Sequence, residues 1–305
     1  MSDHVKLSEV CEILNSNVDK KTKENEQKVK LCNFIDIYNN WAITKYTSKK
    51  FMTATATQNE INKFSLKKGY VAITKDSETK DDIGISTYIA DNFDNVLLGY
   101  HCTLLKPNQK VLNGKFLNAY LSSFYGRKYF SNCASGSGQR YTLTIDVIKD
   151  LTIPLINIET QQKIARTLSV LDQKIENNHK INELLHTLAY KIYEYYFKYK
   201  PKNAKLEQII IENPKSNIMV KNAQKTQDKY PFFTSGDNIL SYPKAIIDGR
   251  NCFLNTGGNA GIKKFNQIMM PLLTLISINT RTSKKLEQIR DFLLPLLLTQ
   301  QVKPE

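Results

Sequence analysis

The chain has 305 residues, of which 41% are hydrophobic, and it carries a formal net charge of +14. This length favours two domains over one, and the sequence has no apolar run of 18 or more residues that could span a bilayer. Residues 1–6 are polar and lack an apolar signal region, so we expect a cytoplasmic protein with no membrane contact. The positive charge is spread over the whole chain, which suits DNA and a lysine-rich solubilising surface equally well.

Residues 1–157 are predicted to form a mixed α/β domain. Strand-like runs cover 29–37, 69–74, 84–90 and 96–105, and a short helix is expected over 115–129. The small-residue loop 135–141 ends in an amide, a guanidinium and an aromatic ring, and Gln and Arg side chains have the bidentate geometry that recognises adenine and guanine. An ordinary flexible loop is the alternative. The candidate DNA-binding residues are Lys75, Lys80, Gln139, Arg140 and Tyr141.

A long helix is predicted over residues 161–198, which contain no Gly or Pro. Apolar residues alternate at spacings of four and three, the pattern of a coiled coil. Two central positions of this seam, Asn178 and Asn182, are polar, and buried amides fix the register and orientation of a partner helix. The pattern favours a spacer between domains over a helix packed only on its own domain. The full seam is Ile164, Leu168, Leu171, Ile175, Asn178, Asn182, Leu185, Ala189, Ile192 and Tyr196.

The same helical pattern recurs once, offset by 101 residues, so that Asn178 and Asn182 correspond to Asn279 and Ser283. The segment 6–10 recurs at 205–209, offset by 199, so the second copy lacks about a hundred residues that the first possesses. We therefore expect a spacer helix over 158–200, a partial second domain over 201–271 and a shortened helix over 272–305. The two helices are expected to pack antiparallel with their polar layers meeting. The expected helix-packing or partner-interface residues are Leu171, Ile175, Asn178, Asn182, Leu185, Leu286, Ile289 and Leu293.

The C-terminal end of the second helix has two special features. Pro295 is expected to kink or end the helix. Around it lies a strongly apolar group that is a candidate contact for a partner protein. This group consists of Phe292, Leu293, Leu294, Leu296, Leu297 and Leu298.

The sequence offers no motif for catalysis or for metal binding. The five cysteines are scattered without a CxxC pair, which predicts reduced, mostly buried thiols. The glycine-rich segment 255–261 lacks the Lys-Ser/Thr ending of a P-loop. A Glu-x-Lys at Glu78 and Lys80 lacks a suitably spaced carboxylate, which argues against a nuclease. We expect no catalytic residue, no metal and no cofactor in this chain.

Several segments together resemble the specificity subunits of type I restriction-modification enzymes. They are the junction from Gln139 to Leu185, including 151–155 and Gln161-Gln162, the stretches 230–236 and 256–262, and the ending 289–297. The resemblance implies α/β target-recognition domains joined by long antiparallel coiled-coil helices. It also implies double-stranded DNA, methyltransferase subunits and restriction subunits as partners, with S-adenosylmethionine and ATP used by those subunits.

Two functions remain open at this point. The chain is either a specificity subunit whose residues 1–157 recognise DNA, or a truncated interaction protein that binds methyltransferase subunits without recognising a complete site. In the first case two chains could pair through their spacer helices to restore two recognition domains. An autonomous nuclease, the third possibility, would require metal-dependent cleavage by the chain alone.

Overall fold

The computed structural model describes residues 3–136, 140–198, 217–223, 230–232, 240–245, 263–299 and 301. The chain divides into two compact units, one formed by Met1–Lys180 with Asn279–Glu305 and the other by Ile181–Ile278. The division falls inside both long helices. No helix in these described ranges combines the length and the apolar character that a bilayer crossing requires.

The first unit is a mixed α/β domain with a long helix at its end. Its strands are β1 (Asp3–Lys6), β2 (Cys11–Asn15), β3 (Gln27–Cys32), β4 (Ala42–Ile43), β5 (Met52–Ala56), β6 (Val71–Thr74), β7 (Asp76–Ser77), β8 (Ser86–Ile89), β9 (Val96–Leu98), β10 (Cys102–Pro107), β11 (Ser135–Gly136), β12 (Tyr141–Thr142) and β13 (Thr152–Leu155). Its helices are α1 (Leu7–Val10), α2 (Phe34–Tyr38), α3 (Gln58–Phe64), α4 (Gly114–Ser122), α5 (Phe124–Cys133), α6 (Ile145–Asp150) and α7 (Ile158–Tyr193), whose last turns belong to the second unit.

Two sheets carry the domain. The larger has the order β2-β10-β6-β8-β4 and is antiparallel except between β4 and β8, and the smaller has the order β5-β3-β9. Strands β6, β9 and β10 are almost wholly buried, because their side chains pack on both faces of the sheets. A third sheet, of order β11-β12-β7, consists of two-residue strands, and β1 pairs with β13.

Polar side chains determine where several helices begin. Thr57 and Asn113 accept hydrogen bonds from the first backbone N–H groups of α3 and α4. The start of α7 is fixed by the fully buried Gln161, whose amide accepts from Asn113 N at 2.8 Å and donates to the carbonyls of Val111 and Ile156. A buried amide with all these partners ties α7 to the domain at low cost.

Three expected elements are shortened or interrupted relative to their sequence patterns. The strand expected over 29–37 ends at Cys32, because the backbone N–H of Asn33 bonds to the Asp36 carboxylate at 2.8 Å and opens α2. The run 96–105 is interrupted at Gly99, and it forms β9 and β10. The helix expected over 115–129 is two helices, since Ser123 has an extended backbone between α4 and α5.

The second unit is described only in parts. It contains the last turns of α7, a π-helical turn at Glu194–Lys198, helix α8 (Val220–Ala223), and strands β14 (Tyr230–Phe232) and β15 (Leu240–Tyr242), which pair as an antiparallel hairpin. Residues 233–236 of the expected stretch 230–236, and the whole of the expected segments 255–261 and 256–262, lie outside the described residues.

The C-terminal helix α9 (Lys263–Leu298) begins earlier than expected. It has 36 residues, as many as α7, and it starts nine residues before the expected range 272–305. Only the part from residue 276 onward repeats the seam of α7, and for this reason the repeat located the start of the helix too late. The expected domain boundaries at 157, 200 and 271 stay predictions.

The predicted seam is the least exposed side of α7. Ile164, Leu168, Ile175 and Ala189 are buried, whereas the off-seam residue Val170 is 52% exposed. Within the first unit, Asn178 Nδ2 donates to Ser283 Oγ at 3.2 Å, and Arg290 lies 3.9 Å from Asp172. Later residues of α9 therefore meet earlier residues of α7, which confirms the predicted antiparallel packing and the meeting of a polar layer.

The expected interface residues of the first unit differ in their burial. Ile175 is buried, while Leu171, Asn178, Leu286 and Leu293 are half-buried. Ile289 is 46% exposed, because the neighbouring Arg290 occupies the inner side of α9. In the second unit Asn182 and Leu185 are half-buried.

The apolar end of α9 packs within its own chain. Leu294, Leu297 and Leu298 are buried in the main core, together with residues of α6, β13 and α7, and Leu293 packs against this core. The expectation that this group is exposed for a partner is therefore wrong for the leucines at 293, 294, 297 and 298. Leu296 is half-buried, and Phe292 is 69% exposed. Pro295 does not end the helix, since burial of three leucines outweighs the one helical hydrogen bond that proline cannot make.

A buried polar group holds α9 against both α7 and the domain. Asp172 of α7 pairs with Lys115 of α4 at 3.1 Å and with Arg290 of α9 at 3.9 Å, and the Arg290 guanidinium lies 4.3 Å from the ring centroid of Trp41. We call Trp41, Lys115, Asp172 and Arg290 the Asp172 cluster. Burial raises the pKa of Asp172, and the two cations and the indole of Trp41 oppose that rise.

Asp172→Ala should lower the free energy of unfolding by about 3 kcal/mol, because it leaves the ammonium of Lys115 buried without an opposite charge. Urea unfolding of the full chain measures this. Asp94→Ala is the matched control, since Asp94 meets Lys67 at 4.0 Å on the open surface, and its removal should leave the midpoint unchanged. Equal midpoints for the two variants would show that the Asp172 cluster does not hold the helices.

Candidate nucleic-acid interface

Three separate chain segments meet at the small third sheet. Strand β12 pairs with β7 so that Thr142 lies opposite Asp76 and Tyr141 opposite Ser77. Side chains alternate between the faces of a strand, so Arg140, Thr142 and Asp76 share one face and Tyr141 and Ser77 the other. The hydrogen bonds from Lys75 N to the His101 carbonyl and from Leu143 N to the Lys75 carbonyl fix these segments beside each other.

The Arg140 side chain is exposed, and two neighbouring side chains hold it in place. Its side chain is 59% exposed, and its Nη2 lies 3.7 Å from the carboxylate of Asp76, which is only 14% exposed. His101 Nδ1 lies 2.7 Å from the same carboxylate oxygen and 3.1 Å from Arg140 Nη2. The guanidinium is thus held at the surface by a half-buried acid and an imidazole.

Lys75 lies beside this group. Its ammonium is 4.7 Å from the ring centroid of Tyr100, and the rings of Tyr100 and His101 meet edge to face at 5.1 Å. Tyr100 is 52% exposed, so a cation and an aromatic ring are available together at the surface. Such a pair can contact a phosphate and stack on a base or sugar.

Lys80 and Tyr141 form a second pair on the sheet. The Lys80 ammonium lies 5.5 Å from the Tyr141 ring centroid. Tyr141 is half-buried and packs against the main core, so its ring anchors the sheet as well as presenting an edge to solvent. Its neighbour Arg140 is the more accessible of the two.

The structure brings four of the five candidate residues together, and Gln139 lies outside the described residues. Sequence reasoning missed Asp76, Tyr100 and His101, which complete what we call the Arg140 cluster: Lys75, Asp76, Lys80, Tyr100, His101, Arg140 and Tyr141. The proximity of His101 to Arg140 depends on pairing between distant strands, for which no local sequence signal exists.

Three cysteines of the domain are buried thiols. Cys11, Cys32 and Cys102 are buried, and burial raises the pKa of each thiol, that of Cys11 to about 12. These thiols therefore stay protonated and unreactive. Among the described residues no group of three or more His, Cys, Asp or Glu side chains could hold a metal ion.

A larger cleft lies between the domain and the helices of the first unit. Its volume is about 1250 Å³, and it includes the Asp172 cluster. Basic residues such as Arg127 and Arg166 are balanced there by acidic ones such as Asp91 and Glu287. Because this mixture attracts a phosphate backbone less than the Arg140 cluster does, the latter is the better nucleic-acid candidate.

Comparison with known proteins identifies the family of this chain. The family described as the type I restriction modification DNA specificity domain matches residues 2–187. The match covers more than half of the chain and includes the whole Arg140 cluster. The chain therefore belongs to the type I restriction-modification specificity family.

Two curated relatives carry the same family name. The chain is 30% identical over 149 residues to the specificity subunit of the type I restriction enzyme HindI of Haemophilus influenzae, covering 48% of this chain and 32% of that protein. It is 31% identical over 129 residues to the MjaIX specificity subunit of Methanocaldococcus jannaschii, covering 42% of this chain and 25% of that one. The matches thus span about a third or less of each relative's length.

One solved structure extends the likeness of the fold to nearly the full chain. The type I restriction-modification S subunit of M. genitalium aligns with a TM-score of 0.61 at 14% identity, covering 97% of this chain and 96% of that one. At this identity the likeness concerns the fold alone. It agrees with the predicted class of α/β recognition domains with long helices.

Proposed function

We propose that this chain is a DNA-recognition subunit that directs methyltransferase and restriction subunits to a target sequence. The observation that carries the proposal is the Arg140 cluster, which gathers three cationic and two aromatic side chains on and beside one small sheet, with Arg140 on one face and Tyr141 on the other. Phosphate contacts supply affinity and orientation, whereas contacts to base edges supply sequence preference. The cluster contains groups suited to each task.

The subunit is proposed to be non-catalytic. Methylation and cleavage would be performed by the partner subunits, which bring S-adenosylmethionine and ATP. The helices offer a surface for such partners, since Val170, Ile289 and Phe292 are exposed apolar residues in the first unit. These residues lie off the seam that α7 and α9 share, so a partner could contact them without separating the helices.

A second candidate is a truncated interaction protein that binds methyltransferase subunits without recognising a full site. The internal repeat supports it, because the second copy lacks about a hundred residues of the first. Pairing of two chains, which would restore two recognition domains, stays a prediction.

Selection from a random-sequence DNA duplex pool by the purified full chain distinguishes the two candidates. A recognition subunit should enrich a defined motif, and its preference for that motif should persist between about 50 and 200 mM salt while total affinity falls. If no motif is enriched and binding to every duplex declines equally steeply with salt, the chain does not recognise sequence, and the second candidate is favoured.

Lys75→Met should weaken binding to all duplexes to a similar extent and lower the salt slope by about one, as expected when one phosphate contact is lost. Titrations of the enriched and a scrambled duplex at several salt concentrations measure both effects. Lys106→Met is the matched control, because Lys106 also lies over a tyrosine ring, that of Tyr70, at 5.9 Å, but near the other end of β10. An equal effect of the two substitutions would contradict a DNA contact at Lys75.

A further inference from the structure

In the contact among Asp76, His101 and Arg140, one ring nitrogen of His101 lies close to both an acceptor and a donor. Nδ1 of His101 is close to both an acceptor, the Asp76 carboxylate at 2.7 Å, and a donor, Arg140 Nη2 at 3.1 Å. A ring nitrogen either donates or accepts, and arginine donates only. Donation from Nδ1–H to a carboxylate is the stronger hydrogen bond, because its acceptor is charged. Arg140 is therefore oriented by its charge interaction with Asp76 and by the imidazole it rests on.

This support leaves most of the guanidinium unused. Among the described residues, the polar contacts of Arg140 all involve Nη2. The remaining N–H groups belong to a side chain that is 59% exposed. A planar guanidinium that is held through Nη2, with its other N–H groups on an exposed side chain, has the geometry required for bidentate binding to two acceptors in one plane.

The presence of Asp76 favours a base over a phosphate as the ligand of that guanidinium. A carboxylate 3.7 Å from the guanidinium repels a phosphate group, whereas it has little effect on the neutral edge of a base. Guanine presents two acceptors, N7 and O6, side by side in the major groove, and this is the most common specific partner of arginine. A residue that weakens phosphate binding and orients the arginine increases sequence preference on both counts.

We infer that Arg140 contacts a guanine of the target sequence, and that Asp76, supported by His101, is the positioning residue that makes this contact specific. The inference rests on the proposed function. It assigns a role to a carboxylate and an imidazole that a search for DNA-binding side chains passes over. If Asp76 and Arg140 formed only a structural ion pair, their geometry would be the same, but Asp76 would not influence the base preference.

Two substitutions test the inference in the same duplex selection, because both lower the guanine preference but they differ in their effect on binding to random DNA. Arg140→Lys keeps the charge but removes the planar guanidinium, so binding to random DNA should persist while preference for one guanine falls about tenfold or more. Asp76→Asn removes a negative charge, so binding to random DNA should become a few-fold stronger while preference for the same guanine declines. A residue with only a structural role would not strengthen random binding and weaken discrimination together.

Asp94→Asn is the matched control, since it removes the same charge from the open surface of the domain and should leave the guanine preference unchanged. If the wild-type chain enriches a motif and Arg140→Lys keeps every base preference of that motif, the inference is overturned and the proposed function stands. If the wild-type chain enriches no motif, both fail. Because Arg140 is exposed, Arg140→Lys does not endanger folding and decides the question even if Asp76→Asn unfolds the domain.

Discussion

The structure of the first unit depends on the antiparallel contact between α7 and α9. Apolar seams alone allow helices to slide by a turn, because leucines one heptad apart are nearly equivalent. Here polar pairs interrupt the seam at two levels, Asn178 with Ser283 and Asp172 with Arg290. A shift by one turn would leave these groups buried without partners, so they select one register. In that register the end of α9 reaches the core of the recognition domain.

This arrangement gives the C-terminal end of the chain a structural role in the N-terminal domain. Leu294, Leu297 and Leu298 share a core with Ile148, Ile153 and Ile164. The Asp172 cluster adds a contact that involves the domain and both helices at once. Loosening of α9 would therefore expose apolar surface of the domain itself. The orientation of α7 relative to the recognition domain is fixed by the same contacts, together with the buried amide of Gln161.

Periodic features were predictable from the sequence, and features that depend on distant pairing were not. The heptad spacing identified the buried side of α7, and the repeat identified Ser283 as the partner of the polar layer. By contrast, the end of β3 at Cys32 and the division of 115–129 into two helices depend on Asn33, Asp36 and Ser123, which compete locally with apolar patterns. The apolar end of α9 resembled an exposed patch, because its partners in the core lie more than a hundred residues earlier in the chain.

The same limit on prediction from the sequence applies to the residues of the candidate site. Composition and loop position were enough to select Lys75, Lys80, Arg140 and Tyr141, since cations and an aromatic ring suit DNA by type alone. Asp76 is an acid and His101 has no fixed charge, so neither residue suggests DNA binding by its type. Only the pairing of β7 with β12 gives them a role beside Arg140. The strands of that small sheet have two residues each and lie apart from the two larger sheets. Exposed side chains on such a sheet, such as Arg140, can change with little effect on the core, whereas Tyr141 packs against it. Substitution of those exposed side chains therefore changes the chemistry of the surface while the fold is retained.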